Sequence, residues 1–149
     1  MRTALWIAAL IAVGLFGSGV ALRWRASHTP PIVMVKLDGA ATHAVSGRLL
    51  VFATLASTAR SQAKDGKVTQ VDADPWHPKR TAVAAREIQR LAPEQTAEID
   101  TDAIAFPEGF SQLPPGQYLI QAVLDQDHNY NYSGRDTGDL ISPVVSVRL

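Results

Sequence analysis

The densest group of oxygen-bearing side chains in this sequence lies within residues 125–136, which read DQDHNYNYSGRD. Acidic or amide residues occupy every second position at the start of this stretch. In a curling loop, alternate side chains turn toward one centre, which suits a hard cation such as Ca²⁺ that takes roughly six to eight oxygen ligands. As a calcium loop, the stretch predicts the following ligands: Asp125, Asp127, Asn129, Asn131 and Asp136.

Several features of this stretch oppose a calcium site. Tyr130 stands at the sixth position, where a calcium loop needs Gly for its sharp turn. Asp136 stands at the last position in place of the longer, bidentate Glu, and no helical pattern flanks the loop. The alternative is a hairpin loop in which Asp and Asn side chains hydrogen-bond to their own backbone. The sequence favours this alternative over a weak extracellular calcium site.

Trp76 is the second candidate for a binding residue, because it stands between Pro75 and Pro78 in a segment that cannot form regular structure. An aromatic face offers apolar contact to a pyranose ring, so Trp76 predicts a carbohydrate-binding site. Tryptophan is rarely left bare in folded proteins. A loop tryptophan that packs back over the edge of the sheet is therefore the favoured alternative.

The sequence contains no convincing catalytic group. Residues 109–113 (GFSQL) come nearest to the G-x-S-x-G turn of α/β-hydrolases but lack its second Gly. Ser61 and Lys64 fit the S-x-x-K spacing, yet they lie in a polar segment that no S-D-N or K-T-G element follows. The histidines show no H-E-x-x-H spacing for zinc, and we expect them to be exposed. They are His28, His43, His77 and His128. The chain is therefore predicted not to be an enzyme.

The N-terminal residues differ in character from the rest of the chain. Residues 3–22 carry no charge, and about 20 apolar residues are enough to cross a bilayer as a helix. The stretch is longer than the apolar part of a typical cleaved signal peptide, although Gly19 and Ala21 leave a cleavage site open. We predict that residues 1–25 form a signal anchor, or a signal peptide if they are cut. Residues 26–31 are predicted to form a linker.

Charge and composition limit what the remainder binds, and its resemblance to extracytoplasmic modules indicates its compartment. All 14 acidic residues follow residue 25, whereas three of the 14 basic residues (Arg2, Arg23 and Arg25) lie within residues 1–25. The remainder therefore has 11 basic and 14 acidic residues and a net charge of about −3. This balance gives no electrostatic reason to bind nucleic acid. The absence of cysteine excludes disulfides and thiolate metal sites. We place residues 32–149 outside the cytoplasm of a bacterial cell, either anchored in the inner membrane and facing the periplasm, or secreted if the signal is cleaved.

Short apolar runs between Pro/Gly-rich turns predict an antiparallel β-fold for residues 32–149. Residues 81–91 are ambiguous, because their composition favours a helix whereas they lack a helical stripe and stand in a β-rich context. We predict a strand there and a polar loop over residues 57–67. The predicted class is all-β, an immunoglobulin-like or prealbumin-like β-sandwich. The other predicted strands are 32–37, 46–55, 68–71, 95–100, 116–125 and 144–149.

Several short motifs occur in a familiar order along residues 32–149. They are SGRLL (46–50), LAP (91–93), Phe106-Pro107, LPPGQY (113–118), QA (121–122) and GDLIS (138–142). In this order they resemble the N-terminal β-sandwich domain that precedes the hydrolase domain in some secreted bacterial proteins described as esterases. In those proteins the catalytic residues lie in the domain that follows, and no residue here corresponds to them. The resemblance therefore implies an accessory domain that stands alone.

The sequence as a whole predicts a non-catalytic, membrane-tethered module for interaction with a protein or envelope partner. The membrane contact is predicted through residues 3–22, and no cofactor is expected apart from the calcium considered above. One alternative is a carbohydrate- or calcium-binding module that uses Trp76 or residues 125–136. Another is an accessory subunit of a separately encoded hydrolase.

Overall fold

The computed structural model describes residues 30–131 and 134–149, and these residues form mostly antiparallel β-sheet. Strands hold 43% of them and helices 8%, which confirms the predicted all-β class. The predicted anchor, residues 1–25, lies outside the described residues, as does most of the linker. Within the described part of the chain, no helix is both long and apolar enough to span a bilayer.

The strands form a six-stranded and a two-stranded sheet. The strands are β1 (Ile32–Lys36), β2 (Val45–Leu55), β3 (Thr81–Leu91), β4 (Thr96–Asp100), β5 (Ala105–Phe106), β6 (Gln117–Asp125), β7 (Leu140–Ile141) and β8 (Val145–Arg148). The larger sheet has the order β5-β3-β2-β6, and β7 and β8 both pair with the outer edge of β6; the smaller sheet pairs β1 with β4. A helix, α1 (Ala56–Gln62), follows β2, and a short 3-10 helix spans Phe110–Gln112.

Strand β2 is central because both of its faces are apolar. It pairs with β3 on one side and with β6 on the other. Leu49 and Val51 contribute to one apolar cluster, and Leu50 and Phe52 contribute to a second cluster on the opposite face. The density of Leu, Val and Phe in this stretch predicts burial on both faces. The structure confirms that prediction.

The two apolar clusters lie on opposite faces of the larger sheet. The β1–β4 pair contributes Ala97 and the fully buried Ile99 to the first cluster. The second cluster contains Ala56 of α1 and Val71 of the segment that follows this helix. Each face of the sheet is therefore covered by a different part of the chain, and burial on both faces holds the strands in one register.

Residues 81–91 form strand β3, as predicted. Their composition favours a helix, but β3 pairs with β2 over its whole length, from Thr81 opposite Thr54 to Leu91 opposite Val45. Tertiary pairing thus outweighs the local propensity. Its buried apolar residues, among them Ala82 and Ala84, contribute to the first cluster.

Two local predictions are wrong. The segment predicted as a loop over 57–67 begins with α1, because Ala56 and Ala59 pack on the second cluster and give this short helix its buried side. Residues 68–71 do not form a strand. The N–H of Val71 instead donates to the side-chain Oε1 of Gln121 at 2.8 Å, so this segment is attached to β6 through a side chain rather than through a ladder.

Candidate functional site

Asp125, the last residue of β6, is a buried anchor for the loop that follows. Its Oδ2 accepts a hydrogen bond from Arg48 Nη2 at 2.8 Å, and its two carboxylate oxygens accept the N–H groups of Asn129 at 3.0 Å and Tyr130 at 3.3 Å. Burial acts to raise the pKa of Asp125, but these hydrogen bonds outweigh burial and lower the pKa below its usual value. Asp125 is therefore held as an anion, which fixes the start of the loop.

The acidic loop, residues 125–139, brings together a different set of carboxylates from the predicted one. Carboxylate oxygens of Asp125, Asp127 and Asp139 lie within 4.8 Å of one another, and Asp139 was not among the predicted ligands. Asp127 is exposed and Asp139 is half-buried. Only two of the five predicted ligands thus belong to this group.

The remaining predicted ligands make hydrogen bonds within the loop. The Asn129 amide donates to Asp127 Oδ2 and to Asp136 Oδ2, both at 2.8 Å, and the Asn131 amide donates to the Asn129 carbonyl at 2.8 Å. The side chain of Tyr130 packs on the second apolar cluster. The loop thus has the side-chain-to-backbone bonds of the hairpin alternative. A calcium site at these residues stays a prediction.

Trp76 lies exposed on a rigid turn. Its side chain is 87% exposed, so the expectation that it packs over the edge of the sheet is wrong. The turn is held by Asp74, whose Oδ1 accepts the N–H groups of Trp76 at 2.9 Å and His77 at 3.2 Å. The side-chain hydrogen bond from His77, 2.8 Å long, lowers the pKa of Asp74. These bonds, with Pro75 and Pro78 on either side, fix the backbone that presents the indole.

A cleft of about 850 Å³ borders this turn. This volume is within the range of small-molecule binding sites, roughly 300–1,000 Å³. Phe106 of β5 and Ile141 of β7 are 55% and 48% exposed, respectively, so the cleft offers apolar surface to a ligand. The larger apolar side chains of its lining are those of Pro75, Pro78, Val83, Phe106, Tyr130 and Ile141.

A polar network joins the cleft to the acidic loop. Arg135, whose side chain is only 8% exposed, lies with its Nε 3.2 Å from Asp72 Oδ2 and donates from Nη2 to Gln121 Oε1 at 3.0 Å. The hydroxyl of Tyr130 donates to the other oxygen of Asp72. Burial and the Asp72 carboxylate raise the pKa of Tyr130 far above its usual value, so the phenol stays protonated as a donor. This network preorganises one wall of the cleft.

A second cavity, of about 750 Å³, lies between the turn after β1 and strand β7. Its lining is chiefly aliphatic, with Leu37, Ile88 and Leu140 among its members, and the Lys36–Glu94 ion pair borders it. Among the described residues that line it there is no aromatic side chain and no buried polar network. The cleft beside Trp76 is therefore the stronger candidate for ligand recognition.

Other residues considered from the sequence lie on the surface. His43, His77 and His128 are exposed or half-exposed, in line with the prediction, and His28 lies outside the described residues. The hydroxyl of Ser61 donates to the Thr58 carbonyl at 2.8 Å on the exposed side of α1.

Comparison of the chain with protein-family models, curated proteins and solved structures found no significant match. The resemblance to an accessory domain of esterases therefore stays a prediction. The cleft and the turn beside it are the features from which a function can be inferred.

Proposed function

We propose that this protein is a non-catalytic, membrane-tethered binding module that recognises a protein or envelope partner outside the cytoplasm. The observation that carries the proposal is the position of Trp76, an 87% exposed indole on a turn whose residues Asp74 and Pro75 line a cleft of about 850 Å³. Large aromatic side chains are enriched where proteins bind partners, because they bury much area at a small entropic cost. A solvent-exposed indole on a backbone held by hydrogen bonds gains from burial against a ligand and loses little conformational entropy when the ligand binds.

The polar groups of the cleft support recognition more than proton transfer. Asp72 is paired with Arg135 and Tyr130, and Asp74 is paired with His77. A general base must reach the proton that it removes, and its pKa is best placed near the working pH. The pKa of Asp74 is instead lowered by His77, and that of Tyr130 is raised far beyond neutrality.

The proposed architecture is a β-sandwich of immunoglobulin-like or prealbumin-like type. It is supported by the two apolar clusters on opposite faces of the larger sheet and by the β1–β4 pair that faces the first of them. The uncharged run at residues 3–22 supports attachment to a membrane, with the binding module on the periplasmic side. An accessory role beside a separately encoded hydrolase is compatible with such a module and follows from the sequence resemblance alone.

Affinity capture from solubilised envelopes tests the proposal. The full chain, a Trp76→Ala variant and a Met34→Ala variant are compared with one tag and one detergent. Met34 is a matched control, because it is 63% exposed and lies on β1 rather than beside the cleft. We expect the same partner with the wild type and with Met34→Ala, and its loss with Trp76→Ala. Recovery that is equal for all three proteins would overturn the proposal.

A further inference from the structure

We infer that the ligand of this cleft is an uncharged carbohydrate chain, one of whose pyranose rings stacks on Trp76. The inference rests on the proposed function and specifies the ligand class. A pyranose ring is amphipathic, since its faces present C–H groups while its rim carries hydroxyls. The site that fits it combines a flat aromatic surface with planar hydrogen-bonding groups placed nearby.

The apolar surfaces beside the turn suit the faces of sugar rings. Trp76 is 87% exposed, and Phe106 in the cleft is 55% exposed. Aromatic side chains combine a broad apolar face with few rotatable bonds, so they bind a flat apolar surface at a small entropic cost. Phe106 lines the cleft, whereas Trp76 stands on the turn outside its lining, so a chain of several rings, rather than a single sugar, is needed to contact both surfaces.

The polar wall suits ring hydroxyls. Arg135 uses Nε and Nη2 for its contacts with Asp72, Val71 and Gln121. Arg135 lines the cleft, and guanidinium N–H groups donate readily to hydroxyl oxygens. Gln70, which also lines the cleft, uses its amide N–H to bond Asp72 at 2.9 Å, and its carbonyl oxygen is an acceptor. Arg135 is held in place by its partners, so the donor is preorganised.

Both carboxylates that line the cleft, Asp72 and Asp74, are already paired with cationic or hydrogen-bonding side chains, which favours a neutral ligand. Asp72 faces Arg135, with Nε and Oδ2 3.2 Å apart. Asp74 faces His77 at 2.8 Å and Arg80 at 3.9 Å. An acidic glycan or a charged peptide would need an excess of the opposite sign to offset the loss of its hydration. A neutral chain of hydroxyl-bearing rings has no such requirement.

A peptide fits this site less well than a glycan. Extended peptides dock on an exposed strand edge by forming main-chain hydrogen bonds. The edge strands that contribute residues to the cleft are β5 and β7, each of only two residues. In addition, β5 is followed by Pro107, which has no N–H to donate. The cleft therefore offers little main-chain pairing, and its side-chain groups remain as the means of recognition.

Isothermal titration of the full chain tests the inference. The detergent must be non-glycosidic, such as an amine oxide, because a maltoside would itself compete for a sugar site. The probes are neutral hexasaccharides (cellohexaose, maltohexaose, xylohexaose and chitohexaose), with hexagalacturonate as the acidic comparison. We expect saturable binding of at least one neutral probe and weaker binding of hexagalacturonate. Trp76→Ala should weaken the neutral interaction about tenfold or more, and Trp76→Phe should retain part of it because the aromatic face remains. Met34→Ala should bind like the wild type.

The outcomes separate the inference from the proposed function. If no neutral probe binds while affinity capture still recovers a Trp76-dependent protein, the carbohydrate inference is wrong and the binding module stands. If neither experiment shows binding that depends on Trp76, both are wrong. Equal affinity of Trp76→Ala and Met34→Ala for a neutral probe, or tighter binding of hexagalacturonate, would also overturn the inference.

Discussion

Arg48 and Asp125 stand directly opposite each other across the β2–β6 pair, and their side chains form an ion pair with Nη2 and Oδ2 2.8 Å apart. The Asp125 side chain is fully buried, whereas that of Arg48 is partly exposed. The carboxylate also accepts two backbone N–H groups of the acidic loop. One side chain therefore joins the centre of the sheet to the loop that borders the cleft.

Replacement of Asp125 should destabilise the fold strongly. Asp125→Ala removes a partner of Arg48 and leaves the N–H groups of Asn129 and Tyr130 without an acceptor, and we expect a loss of about 3 kcal/mol in the free energy of unfolding. Asp127→Ala is the matched control, since Asp127 is exposed, and it should change stability by less than about 0.5 kcal/mol. Urea unfolding followed by circular dichroism measures both. Equal losses for the two variants would contradict the anchoring role.

The stability that depends on Asp125 should vanish in acid. Because its folded pKa lies below the unfolded value of about 3.9, its contribution is fully present above that pH and declines as the pH falls through the folded pKa. Asp74 and Asp136 also have lowered pKa values, so the wild type will lose further stability over the same range. The specific test is the difference between the wild type and Asp125→Asn, which should shrink below about pH 4. A difference that stays constant down to about pH 2 would contradict it.

Gly47 should tolerate no side chain. It lies at a bulge between β2 and β3 with a φ of 143°, and a Cβ there would lie 2.4 Å from the carbonyl oxygen of Asp125. We expect Gly47→Ala to cost more than about 2 kcal/mol. Gly138→Ala is the control, because no described atom lies within 4 Å of the place that its Cβ would occupy. Its thermal midpoint should match that of the wild type, and a similar loss for both variants would show that the close approach at Gly47 is unimportant.

The hydroxyl of Tyr130 should contribute less than its ring. Tyr130→Phe removes the donor to Asp72 but keeps the ring that packs 5.5 Å, centroid to centroid, from Phe52. We expect a loss of about 1 kcal/mol for Tyr130→Phe and about 3 kcal/mol for Tyr130→Ala. Chemical unfolding compares the two variants. A Phe variant as unstable as the Ala variant would mean that the polar network, rather than packing, dominates at this position.

Calcium should have little effect on the protein. The Asn129 amide already bridges Asp127 and Asp136, and Asp125 is engaged by Arg48, so the loop is held without a cation. We expect titration with Ca²⁺ to give no heat and no change in melting temperature. Saturable heat that disappears in Asp127→Ala would instead establish the calcium site predicted from the spacing of the acidic residues.

The sequence predicts the strands better than it predicts the site. The strand at β6 is clear because Tyr118, Ile120 and Ala122 share one face and a proline-rich turn precedes them. Residues 81–91 are ambiguous in the sequence because their composition favours a helix. They form a strand because they pair with β2, and this pairing is not visible in the local sequence. Helix α1 is missed because Ala56 is its only fully buried residue and leaves no periodic stripe.

At the site, single residues are recognisable but their partners are not. Trp76 stands out between two prolines, whereas its exposure depends on the hydrogen bonds of Asp74. Arg135 and Asp72 are 63 positions apart in the chain, so no local pattern reveals that they meet. The sequence does not point to Asp139, because it lies after the regularly spaced residues 125–136. It comes near Asp125 and Asp127 only through the folded path of the loop.

The Asp72 carboxylate contacts Tyr130 and Arg135 of the acidic loop. Asp72 also lies two positions before Asp74, whose side chain holds the turn that carries Trp76. Asp72 consequently connects the two loops, through its side-chain contacts on one side and the short backbone segment to Asp74 on the other. Tightening one should stiffen the other, so a ligand captured at the indole would slow amide exchange as far away as Asn129.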